Sequence, residues 1–295
     1  MIRRATNADL PQLRKIWEEC YDDPLNYVDF MYDRGIVSPQ QTYVIEENFQ
    51  LVSMACVMDC HFSFRENRIP CIYLFGCATV PRLAGKGYMG NLLKRIESDA
   101  KAMDAQMSVL IPGGKMLSGV YAKRGYHSDF GVRVLKLRPG MIGNTPAPDT
   151  ELILNDQKDI SMDEVYAIRE AALYEVPHIE WDSEQLSKVL LDAIAYGESM
   201  AMYKGDAGAS YAIYGMQNKS MFIREILGTN EESTRILLAA IVNEFDPKRV
   251  TMRLPIGAGL LPLEGVKKPD YGMSKLFSTT KPLSDLAPYM NLMFD

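Results

Sequence analysis

Apolar side chains recur at helical spacing from Leu10 through Leu13, Ile16 and Trp17 to Cys20, just behind Asn7, a residue suited to capping a helix. Pro11 falls in the first turn, where its missing N–H costs nothing. A looser helical pattern runs from Pro24 to Arg34. The period then shortens: Tyr43 to Ile45 and Leu51 to Phe64 are apolar runs of strand type, separated by the turn residues Glu46, Glu47 and Asn48. Cys71 to Val80 predicts a further strand, ending at Pro81, which brings no donor to a ladder. From Lys86 to Met103 helical spacing returns, with Met89, Leu92, Leu93, Ile96, Ala100 and Met103 on one stripe and Lys94, Arg95, Glu97, Asp99 and Lys101 opposite. A strand (Met107 to Ile111), a short helix (Lys115 to Arg124, closed by Gly125) and an alternating strand (His127 to Leu137) complete the first half.

Arg138 to Thr150 holds three prolines and two glycines with little periodicity and reads as a linker between units at 1–140 and 150–295. The second half repeats the order in outline. Helices are expected near Met162 to Tyr174 and Ser183 to Ala195, strands near Ser199 to Tyr203, Ser210 to Met216 and Met221 to Leu227, a helix near Glu231 to Phe245, and a strand at Arg249 to Leu254. The expected fold class is α/β (α+β), one fold used twice, each copy a mixed, mostly antiparallel sheet flanked by helices.

A length of 295 residues suits two domains that each bury a core. With 47% hydrophobic and 24% charged residues the composition is that of a globular protein. The net charge of −6 has the wrong sign for gripping nucleic-acid phosphates and suits a cationic small partner. No apolar stretch is long enough to span a bilayer, and the start Met1-Ile2-Arg3-Arg4 leads into a helix with no signal-like region, so a cytoplasmic protein is expected. Five cysteines, an odd number, fit free thiols in a reducing compartment.

The chemistry concentrates between the strand at Cys71 to Val80 and the amphipathic helix, in Arg82-Leu83-Ala84-Gly85-Lys86-Gly87. A strand, a glycine-bearing turn and a helix start present free N–H groups and the positive end of a helix dipole, an anion cradle. Gly85 and Gly87 let a pyrophosphate approach the backbone, and Arg82 and Lys86 add charge. A plain glycine turn would look the same. The segment is no Walker loop, lacking Gly-Lys-Ser/Thr, and no dinucleotide fingerprint, since it follows several antiparallel-looking strands.

Val80-Pro81-Arg82-Leu83-Ala84-Gly85-Lys86-Gly87 resembles the Arg/Gln-x-x-Gly-x-Gly/Ala loop of the GCN5-related N-acetyltransferases (GNAT), which grips the pyrophosphate of coenzyme A. Tyr121-Ala122-Lys123-Arg124-Gly125-Tyr126 resembles that family's Tyr-x-x-x-Gly-Phe/Tyr segment. The likeness covers roughly Ile2 to Leu137, and the tandem order looks like the enhanced-intracellular-survival-type branch, in which a degenerate second acetyltransferase fold follows the first. That branch often adds a sterol-carrier-like third domain, for which 295 residues leave no room. The resemblance implies tandem GNAT-like folds, acetyl-CoA held by Cys77, Ala78, Thr79, Val80, Arg82, Leu83, Ala84, Gly85, Lys86, Gly87, Tyr88 and Met89, and direct acetyl transfer to a primary amine on a small molecule or peptide. Assembly into homo-oligomers is a tendency of the branch. Pro112-Gly113-Gly114 replaces the family's usual Asn, and in the second half Leu227-Gly228-Thr229-Asn230-Glu231-Glu232 puts two carboxylates where a pyrophosphate would sit, which leaves coenzyme A to the first unit.

Tyr121 is the candidate acid: its phenol, ordinarily near pKa 10, outlasts a thiol near 8.5 and can protonate the departing sulfur. The alternative is a tyrosine that only packs beside Tyr126. A backbone N–H among Cys77, Ala78, Thr79 and Val80 would polarise the thioester carbonyl. Cys77 as an acyl carrier is a lesser alternative to its being a small buried hydrophobe. For the base, the strand before the loop carries no Asp or Glu. Asp59 and His61 share one strand face, and the apolar end Pro288 to Asp295 ought to dock; in the resembling branch the terminal carboxylate, here that of Asp295, reaches the first unit's site. Cys56, Cys60, His61, Cys71 and Cys77 form no compact knuckle, so no metal is expected. Trp17 and Trp181 read as packing residues, while Tyr174 to Trp181 offers a pocket wall between the halves. A non-catalytic coenzyme A-binding or scaffold protein with a decayed acceptor site is the other reading.

Overall fold

The computed structural model describes residues 1–23, 26–142, 152–154, 160–257, 261, 263–278 and 283–294. In chain order the elements are β1 (Ile2–Arg4), α1 (Leu10–Cys20), α2 (Tyr27–Asp33), β2 (Thr42–Glu47), β3 (Gln50–Phe64), β4 (Asn67–Thr79), α3 (Tyr88–Ala102), β5 (Met107–Leu110), α4 (Lys115–Ala122) and β6 (His127–Leu137). There follow β7 (Leu152–Leu154), α5 (Met162–Leu173), β8 (His178–Glu180), α6 (Ser183–Ala195), β9 (Ser199–Gly205), β10 (Gly208–Gln217), β11 (Ser220–Gly228), α7 (Glu231–Phe245), β12 (Arg249–Pro255) and β13 (Val266–Leu276).

The strands form one twisted, mostly antiparallel sheet in the order β1-β2-β3-β4-β5-β13-β6-β12-β11-β10-β9-β7, with β8 added to β3. Two pairs are parallel, β4 with β5 and β11 with β12. Each is joined through a crossover helix, α3 in the first half and α7 in the second. That repeated crossover is the structural form of the tandem order. Helices cover both faces: the adjacent Thr42 and Tyr43 point to opposite sides, Thr42 Oγ1 meeting Tyr32 on α2 while the Tyr43 phenol donates to Asp99 on α3. Leu13, Ile16 and Trp17 on α1 and Leu92, Leu93, Ile96 and Ala100 on α3 are buried, as their stripes predict.

The halves exchange material at their junction. Strand β13, late in the chain, lies between β5 and β6, pairing Met273 with Leu110 and Ser274 with His127. Its stretch Val266-Lys267-Lys268-Pro269-Asp270 is exposed and polar, so sequence periodicity marks no strand there. Of the linker expected over 138–150, residues 143–150 lie outside those described. Among the described residues no helix is long and apolar enough to cross a membrane.

The final segment crosses from the second half to the first. Tyr289 donates to Glu225 at 2.8 Å, and Asn291 Nδ2 donates to the Arg224 carbonyl and to the Tyr289 hydroxyl. Glu225 also accepts from Tyr211 at 2.5 Å and pairs with Arg169 at 3.3 Å, all of these side chains being buried. Trp181 Nε1 then donates to the Leu292 carbonyl, and Tyr73 on β4 donates to the Phe294 carbonyl at 2.6 Å.

Candidate active site

Strands β4 and β5 pair only from Cys71–Met107 to Leu74–Leu110. Beyond that register β4 continues to Thr79 while β5 has ended, so one edge of Phe75 to Thr79 faces no strand. The register of β4 on β3 also shifts between Met54 and Cys56, a bulge that places Gly76 at φ +55°. Glycine fits this left-handed position, and no Cβ has room: one would lie 2.6 Å from the Trp17 indole. The Val80 N–H is spent on the Val52 carbonyl at 3.0 Å. Strand alternation then turns the N–H groups of Thr79 and Cys77 toward the open edge. Of the four backbone candidates Cys77, Ala78, Thr79 and Val80, the last is therefore unavailable as a carbonyl donor.

Past the splay, the chain makes a short 3₁₀ turn at Pro81–Leu83 and enters α3 through Gly85 (φ +78°) and Gly87 (φ +90°). The Leu83, Ala84 and Lys86 N–H groups close the turn on carbonyls of the same loop. Those of Gly85, Gly87, Tyr88 and Met89 have no acceptor among the described residues, and no side chain caps the helix. An uncapped helix start with several free donors is an anion site. A cavity of about 530 Å³ opens beside it, with Lys94, Lys123 and Arg124 on its walls and Lys275 there paired with Glu97 at 2.6 Å. Arg82 and Lys86 are exposed at the turn.

The equivalent end of α7 is closed. Asn230 accepts from the Ser233 N–H at 2.9 Å and donates to the Ala207 carbonyl, with Glu231 and Glu232 in the first turn. The splay beyond the β11–β12 pairing, which ends at Ile223, is met by the chain's own final segment through Asn291 and Arg224.

A second cavity, about 310 Å³, lies at the first splay. It is lined by Phe75 to Cys77, Leu110, Ile111, Leu117 and Tyr121, by Trp17, Tyr21, Asp23, Tyr27 and Tyr196, and by Tyr73 and Phe294. Tyr121, in the last turn of α4, packs edge-on against Tyr126 at 5.7 Å between centroids. Burial, and secondarily the facing Cys77, push its phenol well above its ordinary pKa, so it stays protonated. Burial pushes the Cys77 thiol up to about 11, which leaves little thiolate at neutral pH.

Asp59 and His61 do not line this cavity. His61 instead pairs in register with Glu180 on β8, and burial, with Arg68 second, lowers its pKa. The expected wall from Tyr174 to Trp181 is a correction: Tyr174 and Glu175 face solvent, Glu180 binds Ser63, Arg68 and Tyr166, and Trp181 is fully buried in the seam. Asp295 lies outside the described residues; its neighbour Phe294 stacks on Phe75 at 4.7 Å and lines the cavity. Asp23, Tyr27 and Tyr196 are cavity residues that the sequence does not mark, and Trp17, read as packing, is both packed and part of the wall. Among the described residues no cluster of three or more His, Cys, Asp or Glu is arranged to hold a metal.

Gly76→Val tests the bulge. We expect the added side chain to displace the Trp17 indole, cost about 1–3 kcal/mol in a urea denaturation series, and narrow the cavity. Unchanged stability would contradict the tight contact.

Residues 1–128 match the family model described as an acetyltransferase (GNAT) domain. No curated protein matches the sequence. Among solved structures, a GCN5-related N-acetyltransferase from Anabaena variabilis superposes with a TM-score of 0.73 at 16% identity, over 94% of this chain and 72% of that one. A probable N-acyltransferase from Enterococcus faecalis gives 0.74 at 15%, over 94% and 72%. Eis1 from Mycobacterium abscessus gives 0.69 at 13%, over 94% and 73%. At these identities the likeness is one of fold.

Proposed function

We propose that this chain, whose residues 1–128 match the family model of a GNAT acetyltransferase domain, is an acyltransferase that moves an acetyl group from acetyl-CoA to a primary amine by direct attack in a ternary complex. The observation that carries this reading is that the open strand edge from Phe75 to Thr79, which shares a cavity with Tyr121, runs along the chain into the uncapped helix start. The free N–H groups of Gly85, Gly87, Tyr88 and Met89 would hold the pyrophosphate, with Arg82 and Lys86 adding charge. Lys94, Lys123 and Arg124 beside the cradle would favour the remaining phosphate. Cys77, Ala78 and Thr79 would lie along the pantetheine arm in the manner of an added strand, and Val80, Leu83 and Ala84 would shape the turn above it.

Bound acetyl-CoA supplies an activated acetyl group, and the chain's own residues do the rest. The Thr79 and Cys77 N–H groups polarise the carbonyl toward attack. As the N–C bond forms and the C–S bond breaks, Tyr121 gives its proton to the leaving sulfur. The proton lost by the amine goes to a carboxylate of Asp295, the residue after Phe294 in the sequence, or through water to solvent. Cys77, a half-buried thiol of raised pKa, carries no acyl group in this scheme.

The test is release of coenzyme A thiol from acetyl-CoA in the presence of a panel of primary amines, with the acetylated amine identified by mass. Amine-dependent release is the expected result. Acetyl-CoA binding without amine-dependent release from any amine would leave a coenzyme A-binding protein and overturn the transfer reading.

A further inference from the structure

The cavity is lined in part by the aromatic rings of Trp17, Tyr21, Tyr27 and Tyr196, and Asp23 is the one acidic residue among its described lining. Among the described residues no lysine, arginine or histidine lines the cavity. Asp23 accepts from Trp17 Nε1 at 2.7 Å and from the Tyr196 phenol, both neutral donors, and forms no ion pair with a described residue. Those two bonds fix the carboxylate's position without neutralising it. The Tyr27 and Tyr196 rings, 4.9 Å apart between centroids, stand beside it, with the Tyr27 hydroxyl donating to buried Asp192 behind.

From this arrangement we infer that the acceptor is a short aliphatic diamine, its far ammonium held by Asp23 among the aromatic rings while its near amine meets the acetyl group at the splay. The inference rests on the acetyl-transfer reading above and adds the substrate class. Aromatic faces and a carboxylate without a counter-ion attract a cation. The absence of any cationic side chain among the described wall residues disfavours an amine that carries a carboxylate of its own, such as a free amino acid. At about 310 Å³, shared with the acetyl end of the donor, the cavity is near the lower limit for ligand sites and suits a small acceptor chain. The spacing follows from Trp17. Its six-membered ring abuts the bulge at Gly76, and its Nε1, across the indole, holds Asp23. A chain of about three to five carbons spans one indole width.

The experiment compares kcat/KM for 1,3-diaminopropane, 1,4-diaminobutane and 1,5-diaminopentane with those for the monoamines of equal chain length, in the unmodified protein and in Asp23→Asn. We expect the best diamine to exceed its matched monoamine by about 10- to 100-fold, the range of a single partly desolvated cation contact. In Asp23→Asn the diamine-to-monoamine ratio should fall toward one. The side-chain amide of that variant retains an oxygen for one of the two donors, and the comparison within the unmodified protein stands whether or not the variant folds. Monoamines acetylated as well as diamines, or a ratio that survives Asp23→Asn, would overturn the inference and leave acetyl transfer intact. Acetylation of neither class, with acetyl-CoA still bound and other amines acetylated, would also overturn it. Absence of acetylation with every amine would instead strike at the transfer reading on which it rests.

Discussion

Gly85→Glu is expected to abolish acetyl-CoA binding, and with it turnover, while leaving the protein folded. Position 85 has φ +78° and is exposed, and an added Cβ meets nothing within 4 Å. The cost to the fold is then the strain of a left-handed residue, about 1–2 kcal/mol. The effect on binding is far larger, because a carboxylate would stand among the N–H groups of Gly85, Gly87, Tyr88 and Met89 that are free to receive a pyrophosphate. We expect at least about a 100-fold rise in Kd, the change from an attractive to a repulsive charge at short range. The comparison is calorimetric, supported by circular dichroism to confirm folding. Binding retained within a few-fold would move the pyrophosphate elsewhere.

Tyr121→Phe separates chemistry from binding. The ring stays where it is, edge-on to Tyr126, so stability and acetyl-CoA affinity should change little. What is lost is the proton for the leaving sulfur, and kcat should fall by about 10²- to 10⁴-fold, the usual contribution of a positioned acid. The pH profile supplies a second reading. An acid works while protonated, that is, below its pKa, and burial raises that of Tyr121 above the ordinary phenol value. The unmodified protein should therefore show no loss of kcat on the alkaline side below about pH 10. A falling limb between pH 8 and 9, or unchanged turnover in Tyr121→Phe, would remove Tyr121 from the acid role.

Local features were legible in the sequence because their causes are local. The stripes of α1 and α3 and the glycines at 85 and 87 each announce themselves within one or two turns of chain, and the structure places them as their spacing predicts. Features that depend on distant partners were not. Strand β13 is polar and carries Pro269, and it owes its order to β5 and β6 on either side. Three-residue β8 exists because β3 and the final segment flank it. The same holds at the cavity. Trp17 belongs to a helical apolar stripe and so reads as core, Asp23 follows that helix without any motif, and Tyr196 comes from the other half of the chain. Asp59 and His61 do share a face, as their spacing requires, but the cavity lies elsewhere. Alternation along a strand pairs residues by face and is silent on which face is the functional one.

The two halves repeat a parallel strand pair with a crossover helix, yet only the first keeps its helix start open. In the second, Asn230 and two glutamates close the helix end, and the final segment reaches the splay beside it. That asymmetry gives the account its most direct test, the stoichiometry of acetyl-CoA binding by isothermal titration calorimetry. The account predicts one molecule bound per chain. No binding by the folded protein would contradict the assignment of the cradle at 85–89, and two equivalent sites per chain would contradict the closure of the second half.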